Sequence, residues 1–330
     1  MNDSSFPLVL VTHTLPDGWL DMLKDRCRFV LGPEDADSIS PDLESYLHRA
    51  DGLLTLLTIN VDEELLSRTP ELKVISNMAV GVDNIDLAAC TSRGIPVGNT
   101  PGVLTDGTAD LTMAILLAAA RRLFEANLDA RQGHWKTWSP TGWLGKDLRE
   151  ATLGIVGMGK IGSAVAERAK GFGMKIIFFD PNPRREIALQ LGAHRVSFEE
   201  VLRQSDFLSL HVPLTDDTRA LIDVGALQSM KPSAILVNTA RGQIIDPNAL
   251  LQALKNGWIA GAALDVTDPE PLPPDHPFFE LPNCLILPHI GSATWNTRRK
   301  MADRACENLL AGIEGRRLPY CVNPEVYEHL

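Results

Sequence analysis

Three side chains suited to acid–base chemistry each stand just past an apolar run of this sequence. Arg241 follows ILVN, Glu270 follows ALDV in Asp268-Pro269-Glu270-Pro271, and His289 follows LIL in Pro288-His289-Ile290-Gly291-Ser292. The arginine fork donates two parallel hydrogen bonds to a planar carboxylate. Histidine has the unperturbed pKa nearest neutrality, and a carboxylate beside it favours imidazolium, the form that donates a proton. Taken singly, the three read equally well as a surface arginine, a helix-start glutamate and a capping histidine. All three lie past strand ends, where open parallel sheets place their sites, so together they point to one catalytic group. His13, His48, His134, His194, His211, His276 and His329 lack that setting and read as structural or solvated.

The elements that would position these residues centre on 152–180, TLGIVGMGKIGSAVAERAKGFGMKIIFFD. An apolar run enters Gly157-Met158-Gly159-Lys160-Ile161-Gly162. A segment of helical period follows, then a second apolar run that ends in Asp180. Strand, glycine turn, helix, strand and acid make the dinucleotide-binding pattern. Gly157 permits the tight turn, Gly159 lets backbone approach a pyrophosphate, and Gly162 lets helix pack on strand. The helix start offers unpaired N–H groups and a positive dipole end to phosphate. Asp180 lies 18 residues past Gly162 and 23 past Gly157, in line with the usual spacing of about 20. Its carboxylate suits the ribose hydroxyls of NAD(H). A 2′-phosphate about 4 Å away would meet roughly 4 kcal/mol of repulsion per unit charge at an effective dielectric of about 20. Arg184 and Arg185 just beyond could offset this, which keeps NADP(H) open.

The chain has 330 residues, more than most single cores, so two domains are expected. Hydrophobic residues at 45% and charged residues at 22% read as globular and soluble. A net charge of −11 argues against nucleic acid or an anionic membrane as partner. The five cysteines are scattered and contain no C-x-x-C pair, so neither a zinc site nor any other metal site is expected. The N-terminal residues lack a signal-peptide pattern, and the most apolar segment, 111–120, is too short to span a bilayer. A cytoplasmic location is the expectation.

In chain order, strands are expected at 8–12, 28–31, 52–57 and 72–76. Helices are expected at 17–25, at 41–49 after Ser40 as N-cap, and at 61–67. That alternation spells parallel α/β. At Asn77 it stops in a turn-rich stretch, where Gly81 reads equally as an anion-binding backbone donor or as plain loop. One long helix is expected from 105 to about 132, capped by Thr105 or Asp106. Trp135, Trp138 and Trp143 follow, either as an exposed surface for a partner chain or as packing onto their own domain. Beyond the glycine turn, strands are expected at 195–196, 207–211, 234–238, 261–265 and 285–287. Helices are expected at 197–204, 225–230 and 247–256. A last helix over 297–310, ending near Gly312, leads to a tail that crosses back.

The glycine turn with Asp180, the segment 238–242, the segment 265–271 and the segment 289–294 together resemble the D-isomer-specific 2-hydroxyacid dehydrogenases. Within that family, SNMAVGVDNID (76–86), NTPGVLTDGTAD (99–110) and DVTDPEPLPPDHPFF (265–279) look most like glyoxylate/hydroxypyruvate reductases. The resemblance implies two Rossmann-like or flavodoxin-like α/β domains, each a doubly wound parallel sheet, with a cleft between them. Residues 1–101 and 294–330 would form a discontinuous substrate domain, and 102–293 the dinucleotide domain. It also implies a homodimer through the dinucleotide domain, and closure of the two domains on the ligand. Arg241, Glu270 and His289 would be catalytic. Leu57, Val80, Gly81 and Ser292 would meet substrate together with Arg241, the backbone N–H groups of Val80 and Gly81 taking its carboxylate. Thr108, Gly157, Gly159, Lys160, Ile161, Gly162, Asp180, Val212, Pro213, Thr218, Thr239, Ala240, Asp265, His289 and Gly291 would meet the cofactor. The activity implied is NAD(P)H-dependent reduction of a small 2-oxo acid, glyoxylate or hydroxypyruvate, to the D-2-hydroxy acid. A 3-phosphoglycerate dehydrogenase and a non-catalytic NAD(H)-sensing corepressor-like scaffold are the alternatives.

Overall fold

The computed structural model of the chain describes residues 6–182 and 185–328. The chain divides into two compact units, Met1–Leu104 with Thr294–Leu330, and Thr105–Ala293. In the first unit, β1 (Leu8–Val11), β2 (Arg28–Leu31), β3 (Gly52–Thr55), β4 (Val74–Asn77) and β5 (Val97–Gly98) form one parallel sheet in the order β2-β1-β3-β4-β5. Every residue of β1, β3 and β4 is buried. Strands covered on both faces read as continuous apolar runs, not alternating ones. One face packs on Leu43, Leu47, Leu65, Leu66 and Ile95.

A helix from the far end of the sequence, Trp295–Ile313, packs against β3 and β4. The expected helix end at Gly312 is corrected here. Gly312 lies inside the helix, and a Cβ there would come within 2.4 Å of the Val74 side chain, so the glycine serves close approach to the sheet. The tail then closes the sheet edge: Val322 N donates to Val97 O at 2.9 Å, and Val97 N donates to Asn323 Oδ1 at 2.8 Å. Paired this way, β5 presents fewer open backbone groups.

Several short elements differ from expectation. The helix expected at 17–25 is only a 3-10 turn, Asp21–Leu23, bounded by positive φ at Gly18 (81°) and Asp25 (59°). That expected at 41–49 divides into α1 (Pro41–Glu44) and a 3-10 turn, Leu47–Arg49. α2 (Glu63–Ser67) is capped by Asp62. The stretch read as loop after Asn77 contains α3 (Leu87–Ser92), capped by Asp86, and then β5. One is six residues and the other two, too short to carry a periodic signal.

In the second unit, β6 (Thr152–Val156), β7 (Lys175–Phe179), β8 (His194–Arg195), β9 (Phe207–Leu210), β10 (Ile235–Asn238), β11 (Gly261–Leu264) and β12 (Cys284–Ile286) form a parallel sheet. Its order is β12-β11-β10-β9-β6-β7-β8. Side chains alternate between its faces. Val156, Leu208, Leu210 and Leu236 join one core, and Leu153, Ile155, Phe207 and Val237 the other. The winding reverses between β6 and β9, so the turn after β6 stands at the switch point where such sheets bind ligands.

The single helix expected from 105 to 132 is two, α4 (Thr105–Ala120) and α5 (Leu123–Arg131). Arg122 between them is left-handed at φ 53°, and its guanidinium lies 4.9 Å from the Trp143 ring. Lys146 N takes the Ala120 carbonyl at 2.8 Å, which ends α4. Thr105 and Asp106 lie in the first turn itself, so neither is the flanking cap. The remaining helices are α6 (Lys160–Gly171), α7 (Arg185–Leu191), α8 (Phe198–Gln204), α9 (Val224–Ser229) and α10 (Pro247–Asn256), with Trp295–Ile313 as α11. Both units are doubly wound α/β sheets.

Candidate active site

The glycine turn after β6 has the stereochemistry its sequence requires. Gly157 has φ 95°, and a Cβ there would meet His211 O at 2.6 Å. At Gly162 a Cβ would fall 2.1 Å from Gly157 O, so helix and turn touch through the missing side chain. Gly159, the N-cap of α6, faces open space: nothing lies within 4 Å of an added Cβ. A cradle bare at Gly159 and closed at its two flanking glycines fits a pyrophosphate at a helix start. Lys160 and Ile161 begin that helix. Asp180 follows β7 directly, and its oxygens accept from Met158 N and Asn182 N, each at 2.8 Å. These bonds fix the carboxylate beside the turn. Of the two basic residues expected to modulate it, Arg184 lies outside the described residues, and Arg185 begins α7. Gly162→Ala is expected to cost about 1–3 kcal/mol by overpacking; the denaturation midpoint measures this, and wild-type stability would contradict it.

His289 and Glu270 come together across 19 residues of sequence, His289 Nδ1 lying 2.5 Å from Glu270 Oε1. The His289 side chain is 28% exposed and that of Glu270 37%. Glu270 Oε2 also accepts from Thr267 N at 3.2 Å, and Thr267 Oγ1 donates to Pro269 O at 2.8 Å, folding the 267–271 loop on itself. Burial raises the Glu270 carboxyl, but the bond and charge of His289, the Thr267 N–H and the nearby Arg241 together bring it below its ordinary value. The carboxylate is therefore ionised at neutral pH.

His289 itself adopts φ 53°, held there by Asp265 just past β11. The Asp265 backbone oxygen accepts from His289 N at 2.9 Å. Its side-chain oxygens accept from Ile290 N at 2.7 Å and Gly291 N at 2.8 Å. Thr108 Oγ1 reaches Gly291 O at 3.3 Å from α4. Burial pushes the Asp265 carboxyl up, against those N–H bonds and the His289 charge. Asp265 thus works as the clamp on the turn that aims His289.

Arg241 leaves β10 through a turn closed by Asn238, whose amide donates to Arg241 O at 2.8 Å and accepts from Ala240 N at 3.0 Å. Arg241 Nη1 donates to Ala240 O at 2.7 Å. Thr239 next to it shares a buried hydroxyl contact of 2.9 Å with Thr112 of α4. Neither Thr112 nor Thr267 was legible as a site residue. Thr112 lies four residues past Thr108, on the same helix face, which is the one signal it offered. Val212 and Pro213 follow β9, and Thr218 Oγ1 donates to Pro213 O at 2.6 Å, closing that loop. His211 stays neutral at pH 7, since burial lowers it to about 4. Ser292 follows Gly291 and is half-buried. Leu57, Val80 and Gly81 belong to the first unit, just past β3 and β4.

Residues 113–291 match the model of a family described as "D-isomer specific 2-hydroxyacid dehydrogenase, NAD binding domain". The glyoxylate reductase of Korarchaeum cryptofilum is 46% identical over 321 residues, 97% of each chain. The chain belongs to the D-isomer specific 2-hydroxyacid dehydrogenases. The glyoxylate reductase of Aeropyrum pernix is 52% identical over 288 residues, 86% of each chain. Among solved structures, the TT0316 protein of Thermus thermophilus superposes at a TM-score of 0.89 with 48% identity, covering 96% of this chain and 99% of that one. Membership in this dehydrogenase family makes a nicotinamide dinucleotide the cofactor, and the glycine cradle after β6 has the shape for it. No helix among the described residues is long and apolar enough to cross a membrane.

Proposed function

We propose that this chain reduces glyoxylate and hydroxypyruvate to their 2-hydroxy acids, of D configuration where the product is chiral, with His289 as general acid. The observation that carries the reading is the His289–Glu270 pair at 2.5 Å, in the same unit as Arg241 and the glycine cradle. Bound NADH or NADPH supplies the hydride. Residues 157–162 hold its pyrophosphate, and Asp180 takes the ribose hydroxyls, which favours NADH. Thr108, Val212, Pro213, Thr218, Thr239, Ala240, Asp265, His289 and Gly291 line the rest of that site. The unit Thr105–Ala293 is the dinucleotide domain, and Met1–Leu104 with Thr294–Leu330 the substrate domain.

The backbone N–H groups of Val80 and Gly81 take the substrate carboxylate, and Leu57 and Ser292 shape its surroundings. Arg241 pairs with the carboxylate and polarises the carbonyl. His289 gives its proton to the carbonyl oxygen, and Glu270 keeps the imidazole charged until then. Oxidation of the hydroxy acid runs the proton step in reverse. Glyoxylate, hydroxypyruvate and larger oxo acids assayed against both cofactors test the reading. Highest kcat/KM on the two small acids is expected, and binding of NADH without turnover of any oxo acid would overturn it.

Reduction needs protonated His289. Glu270→Gln removes the negative charge that favours that form, so the alkaline fall of the reductive pH profile moves toward acid. A superimposable profile would show that the carboxylate does not act on the imidazole.

A second copy of this chain is the proposed partner. Trp135 and Trp138 are 73% and 80% exposed, and Leu123, Phe124 and Leu144, close by in sequence, are exposed as well. The same region has a cavity of about 410 Å³, lined by Ala119, Phe124, Leu144, Ile235 and Leu285 among others. Apolar surface of this kind supports burial between copies. A monomeric mass at micromolar concentration would exclude it.

A further inference from the structure

Past β4, in the first unit, three consecutive carbonyl oxygens are tied down. Ala79 O accepts from Thr100 N at 2.8 Å. Val80 O accepts from Asn99 Nδ2 at 2.8 Å, and Gly81 O from Asn77 Nδ2 at 2.9 Å. In a planar trans peptide the C=O and the following N–H point in opposite directions. Holding these oxygens therefore aims the N–H groups of Val80, Gly81 and Val82 the other way. N–H groups turned away in this way can donate to an anion.

The same amides tie this loop to its neighbour. Asn77 Nδ2 also donates to Asn84 Oδ1 at 3.0 Å. Asn84 Nδ2 in turn donates to Leu56 O at 3.1 Å and Ile59 O at 2.8 Å. One asparagine pair thus links the loop of Gly81 with the loop of Leu57. Neither amide can be reversed, because its oxygen would then face carbonyl oxygens. Asn77 is fully buried, and a neutral donor there adds no charge beside an anion. An ionised aspartate could not donate to these oxygens.

We propose that Asn77, Asn84 and Asn99 are positioning residues that preorganise the backbone N–H groups of residues 80–82 as a cradle for the substrate carboxylate. The proposal rests on the assignment of Val80 and Gly81 to that carboxylate. The carboxylate is bound alike in ground and transition states, so loosening the cradle raises KM and leaves kcat nearly unchanged.

Asn99→Ala is the cleanest variant, because the backbone of Asn99 is held independently of its side chain. Its N–H donates to Tyr320 O at 3.1 Å, and its oxygen accepts from Asn308 Nδ2 at 3.0 Å. For the NADH-loaded enzyme, KM for glyoxylate and Ki for oxamate, a carboxylate inhibitor, should both rise roughly 2- to 12-fold, as for one lost hydrogen bond. NADH affinity should not move, and kcat should stay within about twofold. Asn99→Asp should bind worse still, and Asn99→Gln, which restores a donor, should recover part of the loss. Asn84→Ala should show the same KM-over-kcat split at a reduced melting temperature. Gly81→Pro, which removes the N–H itself, separates the two claims. If it abolishes oxamate binding while Asn99→Ala and Asn99→Asp keep wild-type KM and Ki, the positioning role is overturned and the carboxylate assignment stands. If Gly81→Pro binds oxamate like wild type, the assignment falls and the positioning role with it.

Discussion

His289→Gln is expected to lower kcat for glyoxylate reduction by about 10²–10⁴, the usual contribution of a positioned general acid. Glutamine can still hydrogen-bond a carbonyl oxygen, but it has no proton to transfer at neutral pH. The turn around residue 289 is held chiefly through backbone groups: His289 N on Asp265 O, and Ile290 N and Gly291 N on the Asp265 carboxylate. The substitution should therefore leave that turn, and NADH affinity, near wild type. Steady-state kinetics with a fluorescence titration of NADH make the check. Near-normal turnover would remove His289 from the chemistry.

Arg241→Ala should lower kcat/KM for glyoxylate by about 10²–10³, the loss expected when one partner of a hydrogen-bonded charge pair is removed. Both constants should suffer, because the same guanidinium binds the carboxylate and polarises the carbonyl. Arg241→Lys should recover only part of it, since a single ammonium cannot reproduce the planar fork. The two bonds from the Asn238 side chain that close the main-chain turn at Arg241 remain in these variants, so cofactor affinity serves as the internal control. A variant with unchanged KM and kcat would place Arg241 outside the reacting centre.

How legible each part was in the sequence follows from how local its physics is. The turn after β6 could be read residue by residue, because its three glycines answer separate steric demands within six positions. The strands β1, β3, β4 and β10 were legible as apolar runs because they are buried throughout. The helix α10 could be bounded from Asp246, Pro247 and Gly257 alone, since its caps are local. The break after Ala120 could not. It depends on Lys146 and Gly145 returning to the end of α4, with a Cβ at Gly145 lying 2.4 Å from Ala120 O. Gly312 was misread for the same reason: it answers to Val74, more than two hundred residues earlier.

The site shows the same division. Arg241, Glu270 and His289 could be picked out because each side chain stands out against an apolar strand, and His289 and Glu270 do meet. The clamp on His289 was only half legible. Asp265 could be named, but not that both its oxygens turn to the backbone of residues 290 and 291. The asparagine links around Val80 and Gly81 left no mark at all. Asparagine is common in turns, and nothing in residue spacing shows which carbonyl an amide will meet.

The most direct measurement is the pH dependence of the hydride-transfer step, followed as loss of NADH absorbance in single turnovers with glyoxylate. Wild-type enzyme should slow about tenfold per pH unit above one ionisation, while His289→Gln, already slow, should show no such dependence. The same ionisation persisting in His289→Gln would place the proton donor elsewhere.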